Sequence, residues 1–250
     1  MEKTEKHKFG LIGKNISYSF SRGYFKNKFK NLNLEQYTYE NFDLETIEEF
    51  NSIFTSKEAI KGLNVTIPYK EEVMPYLDQI DNAAQKIGAV NTIKVDENGL
   101  TGYNTDAYGF KNSIVPHLQP HHKKALILGT GGASKAIAYV LEELGITYSF
   151  VSRSGKKNGF TYEDLTNDQI EDHTLIINCS PVGTYPNIEE KPAIPYQNIT
   201  KRHLLFDLIY NPEVTAFLQA GKLKGATICN GLRMLELQAE KAWSIWNNND

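Results

Sequence analysis

The sequence contains few cysteines, and they lack the spacing of metal ligands. Cys179 and Cys229 are the two cysteines of the 250-residue chain, and each lies at the end of an apolar run. We expect both to be buried thiols in a reducing compartment, not a disulfide, and we expect no metal site.

Long hydrophobic runs are also missing. No segment reaches the roughly 18 consecutive apolar residues that a membrane-spanning helix needs. The charged N-terminal residues lead directly into the strand-like segment Phe9–Gly13 without the apolar core of a signal peptide. We therefore expect a cytoplasmic protein that does not bind a membrane.

The chain has no large excess of charge of one sign. Its formal net charge is −3 and its pI is about 6.1, which disfavours a nucleic-acid partner because such partners select a basic surface. With 40% hydrophobic residues, the chain can bury one or two cores. We expect a compact soluble protein.

The N-terminal part of the chain alternates strand and helix patterns, which predicts an α/β fold with a mainly parallel sheet. The predicted strands are Lys8–Gly13, Glu35–Asn41 and Lys61–Thr66, and the predicted helices are Ser21–Asn31 and Leu44–Phe54. Val90–Val95 and Leu100–Tyr103 are predicted to form a hairpin, because the Asn-Gly pair at 98–99 suits a turn with positive φ.

A domain boundary is predicted at the end of a helix over 106–118, where prolines and the basic run His121–Lys124 interrupt the pattern. Beyond it, strands near 125–129, 147–152, 174–179, 204–209 and 226–229 alternate with helices, as in a doubly wound nucleotide domain. A final amphipathic helix is predicted over Leu232–Trp246. The expected divisions are residues 1–105, residues 106–230, which begin with 106–118 as a linking helix, and residues 231–250.

A glycine-rich turn opens this second series. Gly129, Gly131 and Gly132 follow the apolar run Ala125–Leu128 and precede a helical pattern. A glycine at the end of a strand lets the backbone turn without a Cβ clash, and the next one lets a pyrophosphate approach the helix N-terminus. This context favours a dinucleotide site over an ordinary tight turn.

Polar residues gather at the ends of the predicted strands of the first series. Asn64 and Thr66 lie on a strand that a proline ends, and Lys70 follows at a point where a lysine can exchange a proton with a substrate oxygen. The alternative for Lys70 is a surface lysine that opens a helix. The alternative for Asp106 is a helix N-cap, and the serines after the first strand are also common loop and cap residues.

In their order along the chain, these segments resemble the shikimate dehydrogenase family from end to end. The similar motifs are a serine-rich loop after the first strand, Asn-Val-Thr-Ile-Pro-Tyr-Lys at 64–70, Gly-Ala-Val-Asn-Thr at 88–92, Gly-Tyr-Asn-Thr-Asp at 102–106, Gly-x-Gly-Gly-Ala at 129–133, Asn-Cys-Ser-Pro-Val-Gly at 178–183, Asp-Leu-Ile-Tyr-Asn-Pro at 207–212, and Gly-Leu-Arg-Met-Leu at 231–235 with Gln238. The resemblance implies a substrate domain, a Rossmann-type NADP domain and a C-terminal helix that packs back on the first domain.

The resemblance also implies roles for the matching positions. Lys70 and Asp106 would form the catalytic pair. The substrate would be held by Ser19 and Ser21 at its carboxylate, by Asn64, Thr66, Asn91 and Gln238 at its ring hydroxyls, and by Tyr210, which would line the cleft. The cofactor would contact Gly129, Thr130, Gly131, Gly132 and Ala133, then Ser152, Arg153 and Ser154, and Gly231 and Met234 beside the nicotinamide.

The residues after the second strand of the nucleotide domain predict NADP as the cofactor. No Asp or Glu stands there to accept hydrogen bonds from a ribose 2′-hydroxyl, whereas Arg153 and Ser154 offer donors to a 2′-phosphate. An arginine in solvent at the strand end is the alternative, and the family usually has asparagine where Ser152 stands.

The serine loop departs from the family pattern at three positions. Asn15, Tyr18 and Arg22 stand where the family usually has proline, histidine and proline. Arg22 either contacts the substrate carboxylate or points into water.

The reaction that the resemblance implies is the reversible NADPH-dependent reduction of 3-dehydroshikimate to shikimate, a step of aromatic amino acid biosynthesis. Neutral Ser, Thr, Asn and Gln side chains suit such a polyhydroxylated acid. One alternative is a quinate/shikimate dehydrogenase of the same family. Another is a non-catalytic metabolite and nucleotide sensor, which the presence of both Lys70 and Asp106 disfavours.

Overall fold

The computed structural model describes residues 6–17, 19–55, 59–154 and 159–248. The chain divides into two compact units, one of Met1–Thr105 with Ala239–Asp250 and the other of Asp106–Gln238. The boundaries fall at the start of the helix Thr105–Ile114 and inside the helix Leu232–Trp246. The C-terminal helix therefore contributes residues to both units.

The first unit is built on a six-stranded mixed sheet with the order β2-β1-β3-β5-β6-β4. Its strands are β1 (His7–Gly13), β2 (Tyr37–Asp43), β3 (Ile60–Val65), β4 (Gln79–Ile80), β5 (Thr92–Asp96) and β6 (Gly99–Tyr103). The β1–β2, β1–β3 and β4–β6 pairs are parallel, and β5 is antiparallel to β3 and β6. The predicted hairpin is therefore confirmed, and Gly99 has a φ of +98°.

The first unit contains the predicted helix α1 (Phe20–Asn31). It also contains the short helix α2 (Asn82–Ile87), which was not predicted. The α-helix predicted at Leu44–Phe54 is wrong in type, because the segment Ile47–Thr55 is a 3-10 helix. Its buried residues Ile47, Phe50 and Ile53 recur every third position, which matches the three residues per turn of that helix.

The remaining elements form a doubly wound sheet with helices, as predicted. They are α3 (Thr105–Ile114), β7 (Lys124–Leu128), α4 (Gly132–Glu143), β8 (Thr147–Ser152), β9 (Phe160–Thr161), α5 (Asn167–Asp172), β10 (Leu175–Asn178), β11 (Leu204–Asp207), α6 (Ala216–Lys222), β12 (Thr227–Cys229) and α7 (Leu232–Trp246). All strand pairs in the order β12-β11-β10-β7-β8-β9 are parallel. The strand order reverses between β7 and β10, and ligands of open α/β sheets bind at such a switch point.

One predicted boundary in this part of the chain shifts, and one strand was not predicted. The helix predicted over 106–118 ends at Ile114, and Val115–His117 continues as a 3-10 turn. Pro116 lies in that turn, and a proline removes the backbone donor that an α-helix would need there. The two-residue strand β9 was not predicted.

The C-terminal half of α7 packs on the core of the first unit, as the resemblance implied. Its buried face joins an aromatic cluster around Phe9 and Phe25. That face comprises Ala239, Ala242, Ile245 and Trp246. The indole Nε1 of Trp246 donates to the Ile93 carbonyl at 3.0 Å, and the ring lies against Gly62, where a Cβ would overlap it.

Both cysteines are free thiols. They are half-buried, whereas the sequence predicted buried side chains. Burial still raises the pKa of both thiols, that of Cys229 to about 11, so each stays protonated near neutral pH. Among the described residues, no helix is both long and apolar enough to cross a membrane.

Candidate active site

Two of the predicted substrate-binding amides lie in one buried hydrogen-bonded network of the first unit. Asn64, at the end of β3, donates through Nδ2 to the Thr92 hydroxyl at 3.2 Å and to the Asn91 carbonyl at 3.3 Å. Asn91 donates to the Thr105 hydroxyl at 3.1 Å and accepts from the Thr105 backbone N–H at 2.7 Å. These bonds hold both amides at the strand ends in one orientation.

The serine loop leads into the N-terminus of α1. Ser19 is the N-cap residue, but its side chain makes no capping hydrogen bond, and the first turn of α1 holds no acidic residue. Such a helix end favours an anion, because its first N–H groups lack intrahelical partners. Ser21 lies in that turn, half-buried, and Tyr18 lies outside the described residues.

Arg22, the departure that follows Ser21, is an exposed residue of α1. It lines an open groove of about 890 Å³ between α1 and β2, together with Ser19, Lys26 and Lys30. The groove is basic along its helical wall and holds Glu35 and Glu40 on the opposite side.

Lys70 lies in a turn after β3 and is half-buried. Its carbonyl accepts from the Val90 N–H at 2.7 Å, which ties this turn to the segment before Asn91. Thr66, also half-buried, donates its N–H to the Ile12 carbonyl at 2.8 Å. No α-helix starts at Lys70, so the alternative of a surface lysine that opens a helix does not describe it.

Asp106 belongs to the second unit, where it is the second residue of α3 and 8% exposed. The N-cap alternative is therefore wrong. Gly109 lies one turn further on the same helix face, and a Cβ there would meet the Met234 carbonyl at 2.5 Å and the Gln238 Cβ at 3.2 Å. The close packing of α3 on α7 thus brings buried Met234 and Gln238 beside the face that carries Asp106.

The glycine turn after β7 has the geometry of a phosphate site. Gly129 has a φ of +106°, and a Cβ there would lie 3.2 Å from the backbone of Cys179 and Ser180. Gly131 is the N-cap of α4, with no atom of the described residues within 4 Å of a Cβ placed there. The first turn of α4 holds no acidic residue. The turn therefore fits the phosphates of a dinucleotide, with Thr130, Gly132 and Ala133 half-buried around it.

The end of β8 carries the residues predicted to select NADP. Ser152, half-buried, is the last residue of the strand and pairs with Thr161, and Arg153 and Ser154 follow as exposed residues. The guanidinium of Arg153 favours the ionised form of Tyr162, although burial is the larger influence and raises the pKa of that phenol. Gly155–Lys157 lie outside the described residues.

Comparisons with known proteins give the family of the chain. A family model described as the shikimate dehydrogenase substrate binding domain matches residues 11–93. A curated Shikimate dehydrogenase (NADP(+)) of Methanosphaera stadtmanae is 39% identical, over 95% of this chain and 90% of its own length. The chain belongs to the shikimate dehydrogenase family.

Solved structures of this family have the same fold. Shikimate dehydrogenase 1 from Peptoclostridium difficile is 38% identical, with a TM-score of 0.81 over 97% of this chain and 92% of its own. Shikimate 5-dehydrogenase from Thermus thermophilus, solved in complex with NADP(H) and shikimate, is 29% identical, with a TM-score of 0.84 over 96% of this chain and 93% of its own.

The shikimate dehydrogenase motifs after β10 and β11 contain a network that the sequence did not predict. The fully buried carboxylate of Asp207 accepts from Asn178 Nδ2 at 3.0 Å, the Ile209 N–H at 3.1 Å and the Thr215 hydroxyl at 2.6 Å. Burial raises the pKa of Asp207 to about 6. Asn178 in turn accepts from the Ser180 hydroxyl at 2.7 Å, and so holds the segment that abuts Gly129.

The last predicted site residues lie around the loop after β11. The Gly231 N–H donates to the Ile209 carbonyl at 3.1 Å, and Gly231 lies so close to the Leu208 carbonyl that a Cβ would overlap it. Tyr210, in the same loop, is 36% exposed. Within the described residues, no cluster of three or more His, Cys, Asp or Glu side chains could hold a metal ion.

Proposed function

We propose that the protein catalyses the reversible, NADP-dependent interconversion of 3-dehydroshikimate and shikimate, as a member of the shikimate dehydrogenase family. The observation that carries the proposal is the network of neutral amides and hydroxyls around Asn64 and Asn91. Such groups suit a polyhydroxylated ring, because a site built to hydrogen-bond hydroxyls rejects ligands that lack them.

The substrate carboxylate would bind at the N-terminus of α1, to the hydroxyls of Ser19 and Ser21. The geometry of Ser19 supports this role, because its side chain is not used as a helix cap. Ring hydroxyls would bind the remaining polar positions, with Tyr210 beside the ring. Those positions are Asn64, Thr66, Asn91 and Gln238.

Lys70 would give a proton to the substrate oxygen during reduction and take it back during oxidation, with Asp106 as its partner. As the carbonyl carbon is reduced, negative charge develops on its oxygen, and a positioned lysine neutralises that charge. The half-buried position of Lys70 and the burial of Asp106 suit groups that act on a bound ligand. When bound, the nicotinamide supplies or accepts the hydride.

The dinucleotide would be held by residues of the second unit. The glycine turn and the N-terminus of α4 would bind the pyrophosphate, and Ser152, Arg153 and Ser154 would bind the 2′-phosphate. Gly231 and Met234 would border the nicotinamide. Residues 1–105 would thus serve the substrate, residues 106–230 the cofactor, and residues 231–250 the return of α7 to the substrate domain.

The experiment that tests this proposal is an initial-rate assay of the purified protein that follows the absorbance of reduced nicotinamide. We expect turnover with shikimate and NADP⁺, and slower turnover with NAD⁺. Comparable rates with quinate would indicate the quinate/shikimate alternative. Binding of both ligands without turnover would indicate a sensor.

We further expect a cytoplasmic protein, since free thiols suit a reducing compartment. The family resemblance implies a monomer or a homodimer.

A further inference from the structure

Tyr39 contacts one of the proposed substrate-binding residues, Asn64. It lies on β2 with its side chain buried, and its phenol donates a hydrogen bond to Asn64 Oδ1 at 2.8 Å. The ring stacks on Phe25, with centroids 4.7 Å apart and planes 12° from parallel, so the phenol oxygen has a fixed position.

The phenol supplies a donor to the buried amide oxygen of Asn64. Its Oδ1 accepts from Tyr39, and its Nδ2 donates towards the Asn91 carbonyl and the Thr92 hydroxyl. A flipped amide would set Oδ1 against the Asn91 carbonyl, which can only accept, so the observed orientation leaves Oδ1 facing the phenol as its donor. Without the phenol, the buried carbonyl oxygen of Asn64 would lose this donor, which is unfavourable for a buried acceptor.

Tyr39 also stays a donor across the working pH range. Burial raises its pKa well above the ordinary value of a phenol, and the hydrogen bond from Ser21 offsets only part of this effect. The hydroxyl therefore remains protonated near neutral pH and can donate to Asn64 Oδ1.

We infer that Tyr39 is a positioning residue for the substrate, which acts by holding the Asn64 amide in its binding orientation. This inference rests on the proposed function, because it assigns Asn64 to the substrate. Tyr39 would not touch the substrate itself. Its effect should therefore appear in the affinity for shikimate and not in the affinity for the dinucleotide.

The test is Tyr39→Phe, which removes only the hydroxyl and keeps the ring on Phe25. We expect KM for shikimate to rise about tenfold, which corresponds to about 1.4 kcal/mol, with KM for NADP⁺ unchanged within about twofold. Tyr37→Phe is the matched control. It lies on the same strand, and its hydroxyl has no hydrogen bond among the described residues, so we expect no change in KM.

Two further variants separate positioning from a structural role. Replacement of Tyr39 by p-aminophenylalanine, which keeps a donor at the same place, should restore KM to within about twofold of wild type. The double variant Tyr39→Phe with Asn64→Ala should have the same KM as Asn64→Ala alone, because contacting residues are coupled when one acts through the other.

An unchanged KM for shikimate in Tyr39→Phe, or additive effects in the double variant, would overturn the inference. If Tyr39→Phe did not fold, a p-aminophenylalanine variant with a tenfold raised KM would overturn it as well. The wild-type rate with shikimate, measured in the same assay, tests the proposed function separately.

Discussion

Asp207→Asn should change how the stability of the protein depends on pH. Asparagine keeps the contacts of the carboxylate. Its Oδ1 can accept from Asn178 and the Ile209 N–H, and its Nδ2 can donate to Thr215. The substitution therefore removes the buried negative charge, but the Thr215 hydroxyl loses the acceptor for its own proton. This loss is the same at every pH, so the pH dependence of the stability difference reports the charge.

The magnitude follows from the pKa of Asp207. Burial raises it from 3.8 to about 6, and at about 1.36 kcal/mol per pH unit this corresponds to about 3 kcal/mol. Because the folded state binds the proton more tightly, the contribution of Asp207 is greatest below its unfolded pKa and is lost as the pH rises through about 6. We expect the stability of Asp207→Asn relative to wild type to increase by about 2 kcal/mol between about pH 4.5 and pH 7.5.

The assay is urea unfolding of both proteins, followed by far-UV circular dichroism across this pH range. The difference in unfolding free energy between the two proteins cancels the titration of all other groups. A difference that stays flat with pH would refute the reasoning.

Three further predictions concern the proposed site. Lys70→Ala should lower kcat by about 10²–10⁴-fold, which is the typical contribution of a proton-transfer group. NADP⁺ affinity, measured by calorimetry, should not change. A variant that keeps more than about a third of the wild-type kcat would contradict the role of Lys70. Arg153→Ala should raise KM for NADP⁺ by about 10- to 150-fold, since it removes charge-assisted bonds, while KM for NAD⁺ stays the same; equal losses with both cofactors would contradict this. Gly129→Ala should lower the free energy of unfolding by about 1–3 kcal/mol, because a φ of +106° strains any other residue. Its control is Gly131→Ala, at a φ of −76° in open space, and similar losses in both variants would show that the backbone of Gly129 is not strained.

The main elements of the fold could be predicted because their signals are local. The central strands β7, β10 and β11 are mainly apolar runs, and the Asn-Gly pair at 98–99 marks the β5–β6 hairpin. The two-residue strands β4 and β9 carry no periodic pattern, so only their tertiary pairing defines them. The 3-10 helix had a signal in the three-residue spacing of Ile47, Phe50 and Ile53, but a short apolar pattern of this kind is also compatible with an α-helix.

Residues of the candidate site could be predicted only where they lie inside a motif that resembles the family. Asn64, Asn91 and Lys70 lie inside such motifs, whereas Tyr39 stands on an ordinary-looking strand 25 positions before its partner Asn64. Its role depends on the β1–β2 and β1–β3 pairings, which set β2 and β3 on either side of β1. Asp207 was part of a motif, but its burial and its bond to Thr215 arise from the packing of α6 on β11.

The proposed reaction requires a hydride to pass between the nicotinamide and the ring carbon of 3-dehydroshikimate. To follow this hydride, the purified protein is incubated with 3-dehydroshikimate and NADPH that carries deuterium at the transferable position, and the product is analysed by mass spectrometry. We predict shikimate with the deuterium on the carbon that bears the new hydroxyl, formed faster than with labelled NADH. Two results would contradict hydride transfer. One is a folded protein that binds NADPH but forms no shikimate, and the other is shikimate without deuterium when NADPH labelled on either face of the nicotinamide is used.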